Sequence, residues 1–430
     1  MPTDLSCRGA QQNPNSTLSA LVPYFNRVAR NPFDAYTNPY GIIDLGIAEN
    51  MLCEQELVDK LQSIQTWIPS LNYYGDPIGE RTFRQELCHF FQDALHLDND
   101  VQLTPDRMII TGGAADAFIV YSYMLTDVND AILVPSPYYS YIDHNVSILT
   151  ENQIIRCPLL NQSTGKFRLS REIFEHGYIE AQSKGLNPRA IILINPSNPL
   201  GDIYDDMTIR PILQFAAEKR MHVIVDEIYA LSTFVTECFQ SILNYNSSLP
   251  DPDRTHFLWS FSKDFSLSGA RVGIIYAGTA ELCTMASKLN FVLVPSRNIQ
   301  YTFEQLIANR EWIHAYIALN RQRLTHRYIQ VKSTLETIEG VKIRQSHAGF
   351  FIWADLRELL PDKASFNDEK RLFEHLFNCA GVFVLRGHTL GCTEPGWFRF
   401  IFSVNDTIMT EALMRIEKAL TQTYCSHFSI

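Results

Sequence analysis

At 430 residues the chain exceeds what one core of ordinary size fills, so two domains, or a large one with a smaller one appended, are expected. A hydrophobic fraction of 46% with 12% aromatic residues supports a substantial core and excludes an extended disordered chain. A formal net charge of −11 argues against nucleic acid or an anionic membrane surface as a partner. The nine cysteines are scattered without a C-x-x-C pair, which argues against a metal site or redox dithiol and predicts reduced thiols. No basic stretch followed by an apolar one opens the chain, and no apolar run approaches the ~18 residues of a membrane span. A soluble, cytoplasmic protein is expected.

In chain order, the first forty or so residues carry Asn13-Pro14, Asn31-Pro32 and Asn38-Pro39, steps that favour extended chain and turns, so this segment is predicted to be an arm. From about Asp106 to Gly278, short apolar runs alternate with helical patterns: Met108 to Thr111, Ala131 to Val134, Ala190 to Ile194, His222 to Val225, Phe257 to Ser260 and Val272 to Tyr276. Runs apolar nearly throughout predict strands buried on both faces of a largely parallel sheet, and hence α/β architecture. Pro211 to Arg220 reads as a helix with proline near its start and cations in its last turn. From roughly Glu311 a long amphipathic helix is followed by alternating segments at Gly349 to Ala354 and Trp397 to Ser403, then a helix from Asp406 to about Thr423, a pattern suited to a smaller α+β domain. The expected division is an arm with part of the small domain over 1–65, a large domain over 66–310 and the small domain over 311–430.

Four segments carry chemistry. Ser260-Phe-Ser-Lys263-Asp264 closes an apolar run and is followed eight residues later by Arg271. A lysine beside hydroxyls, desolvated and near another cation, is held as the neutral amine that attacks an aldehyde, and the guanidinium suits a phosphate. Alone, the pair also fits a solvated loop lysine with a structural arginine. Asp226 in Val223-Ile-Val-Asp-Glu-Ile-Tyr229 stands at the carboxyl end of a strand, where open α/β sheets place ligands. It could keep a pyridine nitrogen protonated, with Tyr229 on a ring hydroxyl, or be an N-cap with a core tyrosine. Asn195-Pro-Ser-Asn-Pro-Leu-Gly201 predicts a tight turn presenting Asn198 inward, and Thr111-Gly-Gly-Ala-Ala-Asp116 predicts backbone N–H groups at a helix start, a phosphate cradle.

These segments, with Pro135-Ser-Pro-Tyr138 and a late Arg399, resemble in order and spacing the class I aminotransferase superfamily, fold type I of the pyridoxal 5′-phosphate (PLP) enzymes. Within it, Leu45-Gly-Ile-Ala-Glu-Asn50, Pro137-Tyr-Tyr139, Ala348 to Arg357 and Pro395-Gly-Trp-Phe-Arg399 are most similar to the 1-aminocyclopropane-1-carboxylate (ACC) synthase branch. The resemblance implies PLP as cofactor, with Lys263 as the Schiff-base lysine and α-proton base and Asp226 as the partner of the pyridine nitrogen. It implies Asn198 and Tyr229 at the ring hydroxyl, Tyr138 stacked on the ring, and Gly113, Ala114, Ala115, Ser260 and Arg271 around the phosphate. Arg399 would grip the substrate carboxylate, and Glu49 would stand near the substrate. The family also places a tyrosine from the neighbouring subunit at the site, here Tyr74 in Tyr74-Gly-Asp-Pro-Ile-Gly79, with Tyr73 as the alternative, which implies a homodimer with shared sites.

The chain departs from plant ACC synthases at Tyr138-Tyr-Ser-Tyr-Ile-Asp-His144, at Ser266-Leu-Ser268 and at the insertion over Gly75 to Gly79. Relatives of the branch include carbon–sulfur lyases and aminotransferases of fungal secondary metabolism. The expected reaction is therefore expulsion of a sulfur group from an amino-acid substrate, with transamination as the second reading. A non-catalytic PLP-binding module is the third, opposed by retention of Lys263, Asp226 and Arg399 together.

Overall fold

The computed structural model describes residues 20–147, 149–234 and 239–423. Cys7, Cys238 and Cys425 lie outside them; the described cysteines Cys53, Cys88, Cys157, Cys283, Cys379 and Cys392 are free thiols, and all but Cys379 are buried.

Seven strands form the central sheet: β1 (Met108–Thr111), β2 (Asp130–Ser136), β3 (Gln153–Pro158), β4 (Asn187–Ile194), β5 (His222–Asp226), β6 (Thr255–Ser260) and β7 (Gly273–Tyr276). Their spatial order is β1-β7-β6-β5-β4-β2-β3, and only β7 runs antiparallel to its neighbours. Side-chain alternation divides the sheet residues between two cores. Ile109, Ile132, Ile192, Ile224, Leu258 and Ile275 face one side, against Phe118 and Cys283 of the helices Ala114–Leu125 and Ala280–Asn290. Ile110, Leu133, Ile191, Val223, Phe257 and Ile274 face the other, against helices that include Arg81–Ala94 and Asp206–Glu218. A sheet covered on both faces has apolar strands throughout, which is why six of the seven were legible. The seventh, β3, is an edge strand with exposed Gln153, Arg156 and Pro158, and its polar alternation hides it from a search for apolar runs.

A second sheet gathers the late chain: β8 (Lys342–Ile343), β9 (Phe351–Asp355), β10 (Leu385–Arg386) and β11 (Trp397–Ile401), antiparallel in the order β8-β9-β11-β10. The long helix Arg310–Leu335 precedes it. Ile43–Asp44 pairs in parallel with Val382–Phe383, and Ile401 N–H donates to Leu45 O at 2.9 Å, so the early segment 43–49 is laid against the end of β11.

Two local expectations are corrected. Within the predicted arm, Val22–Arg30 is helical: Pro23 sits in the first turn, where its missing N–H costs nothing, Asn31-Pro32 and Asn38-Pro39 fall after the helix, and Asn13-Pro14 lies outside the described residues. Tyr24 and Phe25 pack edge-on against Phe373 (4.8 Å) and Phe383 (5.2 Å), burial that overrides the local signals. The helix predicted from Pro211 begins at Asp206, because Asp205 caps it by accepting from Thr208 N–H at 2.9 Å; Pro211 is therefore inside it, and Lys219 lies just beyond its last turn.

At the end of the sheet away from the strand carboxyl termini, His256 Nε2 lies 3.0 Å from His222 Nδ1, while His256 Nδ1 accepts from Gly278 N–H at 2.9 Å. That chain of bonds needs both rings neutral. Burial, then neighbouring positive charge, pushes His222 down to about 4 and His256 well below its ordinary value. Groups depressed in the fold give stability that is present above about pH 6.5 and lost as the pH falls through the folded values. We expect the His222→Gln/His256→Gln variant to lose about 2 kcal/mol less stability than wild type between about pH 7 and pH 4.5, read by urea denaturation. Equal losses in the two proteins would show that the pair does not contribute.

Candidate active site

The parallel strands β2, β4, β5 and β6 end on one side of the sheet, and the loops leaving them line a cavity of about 730 Å³ that is closed on the far side by segment 44–49 and β11. Each predicted segment reaches it by a local device. In the turn after β4, Asn195 fixes the loop by accepting from Tyr204 N–H (2.9 Å) and donating to Tyr204 O (3.2 Å). Gly201 turns at φ +70°, where a Cβ would lie 1.7 Å from Ser346 Oγ, so only glycine closes this turn. Asn198 is thereby turned inward, 4% exposed, and bridges two other site residues: its Nδ2 donates to Tyr229 Oη (3.5 Å) and its Oδ1 accepts from Arg399 Nη1 (3.0 Å).

Asp226 ends β5 inside the cavity wall. It accepts from Ile228 N–H at 3.1 Å and stands in no ion pair among the described residues. Burial pushes its carboxyl up to about 7, opposed by that N–H and by the charge of Lys263. Lys263, in the short helix Phe261–Asp264 after β6, donates from Nζ to Ala48 O at 2.5 Å. Burial first, then the charge of Arg399, pushes it down to about 8, with Glu49 acting in the opposite sense. An amine near neutrality facing a buried acid is an arrangement for attacking a carbonyl and for moving protons.

Arg399 projects from β11 and is 2% exposed. Besides Asn198 it donates to Gly46 O, and its Nε is buried without a hydrogen-bond partner. Asp44 acts on it electrostatically, but among the described residues no salt bridge holds it, and a buried guanidinium with an unused donor is a seat for an incoming anion. A second anion site lies at the N-terminus of Ala114–Leu125, where Gly113 turns at φ +105° so close to Arg271 that a Cβ would fall 2.4 Å from Nη2. Ala114, Ala115, Ser262 and Arg271 all line the cavity here. The donor set fits PLP: a cradle and guanidinium for a phosphate, a lone buried carboxylate for a pyridine nitrogen, an asparagine and a tyrosine for a ring hydroxyl, and an amine for an aldehyde.

Two assignments are corrected. Tyr138 is buried in the core outside the cavity; its hydroxyl donates to Asp143 and accepts from Arg156 Nε (3.3 Å). The cavity wall carries Tyr139 instead, and a doubled tyrosine leaves that choice to the path of the backbone after β2. Ser260 is likewise withdrawn from the cavity: it is fully buried, its Oγ accepts from Ser262 N–H (3.0 Å) and lies 3.0 Å from Val272 O, and the hydroxyl on the wall is that of Ser262. Glu49 lines the cavity and accepts from Ser268 Oγ at 3.1 Å. Tyr74 and Tyr73 are outside it, 95% and 74% exposed, on a separate depression shared with Phe291 and Arg297. Sequence reasoning missed Asp44, Ser268 and the wall formed by Leu21, Phe25 and Val28, for which no motif gives a signal. Among the described residues no helix is long and apolar enough to cross a membrane, and no cluster of three or more His, Cys, Asp or Glu could hold a metal ion.

The family model "Aminotransferase class I and II" matches residues 41–416. The chain is 35% identical over 396 residues to human 1-aminocyclopropane-1-carboxylate synthase-like protein 1, covering 90% of this chain and 78% of that one. It is 31% identical over 422 residues to 1-aminocyclopropane-1-carboxylate synthase 1 of Prunus mume, covering 93% and 83%. The solved aspartate aminotransferase of Rhizobium meliloti superposes with a TM-score of 0.78 at 19% identity, over 97% of this chain and 98% of that one, a likeness of fold.

Proposed function

The chain belongs to the aminotransferase class I and II family and is a PLP-dependent enzyme, and from that premise we propose that it is a cytoplasmic lyase that expels a sulfur-bearing group from the side chain of an amino acid. The observation that carries this reading is the charge left over in the cavity. With Arg271 given to the phosphate, Lys263 and Asp226 to the cofactor ring and Arg399 to the substrate carboxylate, the remaining charged side chains on the wall are Asp44 and Glu49, both acids. Among the described residues this chain therefore offers no cation to a second substrate carboxylate, and the cavity favours a neutral or cationic side chain, such as a thioether or sulfonium.

When bound, PLP supplies an electron sink for the charge left on the substrate Cα after proton loss. Asp226 would keep the pyridine nitrogen protonated, Asn198 and Tyr229 would orient the ring through its hydroxyl, and Tyr139 would cover its face. The Ala114 and Ala115 N–H groups, Ser262 and Arg271 would hold the phosphate. Lys263 Nζ, its ammonium made easier to deprotonate by burial, would take the Cα proton, and Arg399 with Asn198 would fix the α-carboxylate so that this proton faces Nζ. The walls of Leu21, Phe25 and Val28 would exclude water from the departing group. Residues 66–310 would then supply the cofactor side of the site, and residues 1–65 with 311–430 the substrate side. A homodimer completes the reading: Tyr74, outside its own chain's cavity and 95% exposed on a depression shared with the exposed Phe291, would serve the other chain's cavity.

Incubation of the purified enzyme with S-adenosylmethionine, cysteine conjugates and ordinary amino acids, each with and without a 2-oxo acid, tests the reaction. Release of a sulfur product without the 2-oxo acid is the expected outcome. Turnover that strictly requires the 2-oxo acid makes the protein an aminotransferase using the same residues.

A further inference from the structure

One buried carboxylate next to the site has no part in the chemistry above. Asp264 follows Lys263 directly and is 2% exposed, yet it does not line the cavity. Its Oδ2 accepts from Trp259 Nε1 (2.8 Å) and from Leu231 N–H (3.0 Å), and its Oδ1 accepts from Ser232 Oγ (2.6 Å). These donors come from two different places. Trp259 belongs to β6, which delivers Lys263; Leu231 and Ser232 belong to the turn that follows Asp226 and Tyr229, tied back by Ala230 N–H to Glu227 O (2.9 Å) and Ser232 N–H to Tyr229 O (3.0 Å). One side chain thus joins the element that carries the amine to the element that carries the pyridine acid and the ring-hydroxyl tyrosine. The long helix Arg310–Leu335 backs the junction from both ends: Tyr316 Oη donates to Asp264 O (3.1 Å) and stacks on Phe265, while Arg321 Nε donates to Leu231 O (3.2 Å).

We propose that Asp264 is a positioning residue, holding Lys263 Nζ in fixed relation to Asp226 and Tyr229 through the Trp259, Leu231 and Ser232 bonds. The inference rests on the reading of Lys263 as the cofactor-bearing lysine. Three donors converging on one buried group require an acceptor-rich side chain; an apolar replacement frees both elements to move apart, and displacement of about 1 Å at a reacting centre is enough to cost up to ~100-fold in rate. Asparagine can substitute in part, because its oxygen can take both N–H donors while its amide donates to the rotatable Ser232 hydroxyl.

The test compares holoenzymes of wild type, Asp264→Ala, Asp264→Asn, Ser232→Ala and Trp259→Phe, all assayed where near-ultraviolet circular dichroism shows them folded. Asp264→Ala is expected to lower kcat roughly 10- to 100-fold with KM changed by less than about threefold. It should also lose at least about half of the visible circular dichroism of the bound cofactor, with its absorbance retained; Asp264→Asn should restore most of both. Should Asp264→Ala not fold, Ser232→Ala and Trp259→Phe carry the test, each losing part of kcat and of the visible signal. Normal kcat and visible dichroism in the folded variants, whatever their melting points, overturn the positioning role. Covalent cofactor in a Lys263→Ala protein instead overturns the premise about Lys263.

Discussion

Lys263→Ala is expected to lower turnover by at least about 10⁴-fold while leaving the fold intact. Two proposed roles would be lost at once, covalent attachment of the cofactor and movement of the Cα proton at Nζ, and among the described residues no other amine lines the cavity to replace them. The fold should survive because the lysine is buried against its own interest: desolvation pushes its amine down to about 8, and its hydrogen bond to the Ala48 carbonyl offsets this only in part. Borohydride reduction followed by peptide mass spectrometry should find the cofactor on Lys263 in the wild type and nowhere in the variant. A variant that keeps turnover, or a modification at another lysine, would remove Lys263 from its assigned role. A variant that melts far below wild type would instead show that the amine is structural.

The second large effect is expected at Arg399. Arg399→Lys keeps the positive charge but loses the planar fork that reaches Asn198, Gly46 O and an incoming carboxylate together. Loss of two charge-assisted hydrogen bonds, about 1.5–3 kcal/mol each, corresponds to a fall in kcat/KM of roughly 10²- to 10⁴-fold, mainly through KM. Arg399→Ala should be worse, because Asn198 Oδ1 then also loses its donor and Tyr229 loses its oriented neighbour. Steady-state kinetics with the substrate found in the lyase assay, and binding of a substrate-like carboxylate followed in the cofactor's visible band, check both. If KM is unaltered in Arg399→Lys, the carboxylate is held elsewhere.

The two predictions draw on different kinds of legibility. Lys263, Asp226 and Asn198 stood out as candidates because each closes, or follows within a few residues, an apolar run, and the carboxyl ends of buried parallel strands are where this architecture opens, while the roles expected of them came from the resemblance. The strands themselves were readable because double-sided burial leaves a run of Val, Ile and Leu with no alternation. Arg399 became meaningful only by resemblance: it sits mid-strand in β11, flanked by Phe398 and Phe400, and nothing local separates it from a structural arginine.

Where the reading failed, the cause was geometry that local chemistry does not encode. In Tyr138-Tyr139 both rings have the same chemistry, and the backbone path after β2 alone sends the first into the core against Asp143 and the second into the cavity. Ser260 and Ser262 are separated in the same way: the first caps the helix that carries Lys263 and the second is left facing the cavity. The helix Val22–Arg30 forms because Phe373 and Phe383, some 350 residues away, offer its apolar face a surface.

By itself, then, the amino-acid sequence determined six strands of the mainly parallel sheet and singled out Gly113, Lys263, Asp226 and Asn198 as candidates, since these depend on runs, turns and neighbours within a few residues. Only the tertiary structure decided which of two like side chains enters the cavity, that Asn198 links Tyr229 to Arg399, and that Asp264 ties two strand ends together. The links of Asn198 to Tyr229 and Arg399, and of Asp264 to Leu231 and Ser232, join residues tens to hundreds of positions apart, and such contacts exist only once the two sheets and the early segment have closed around one space.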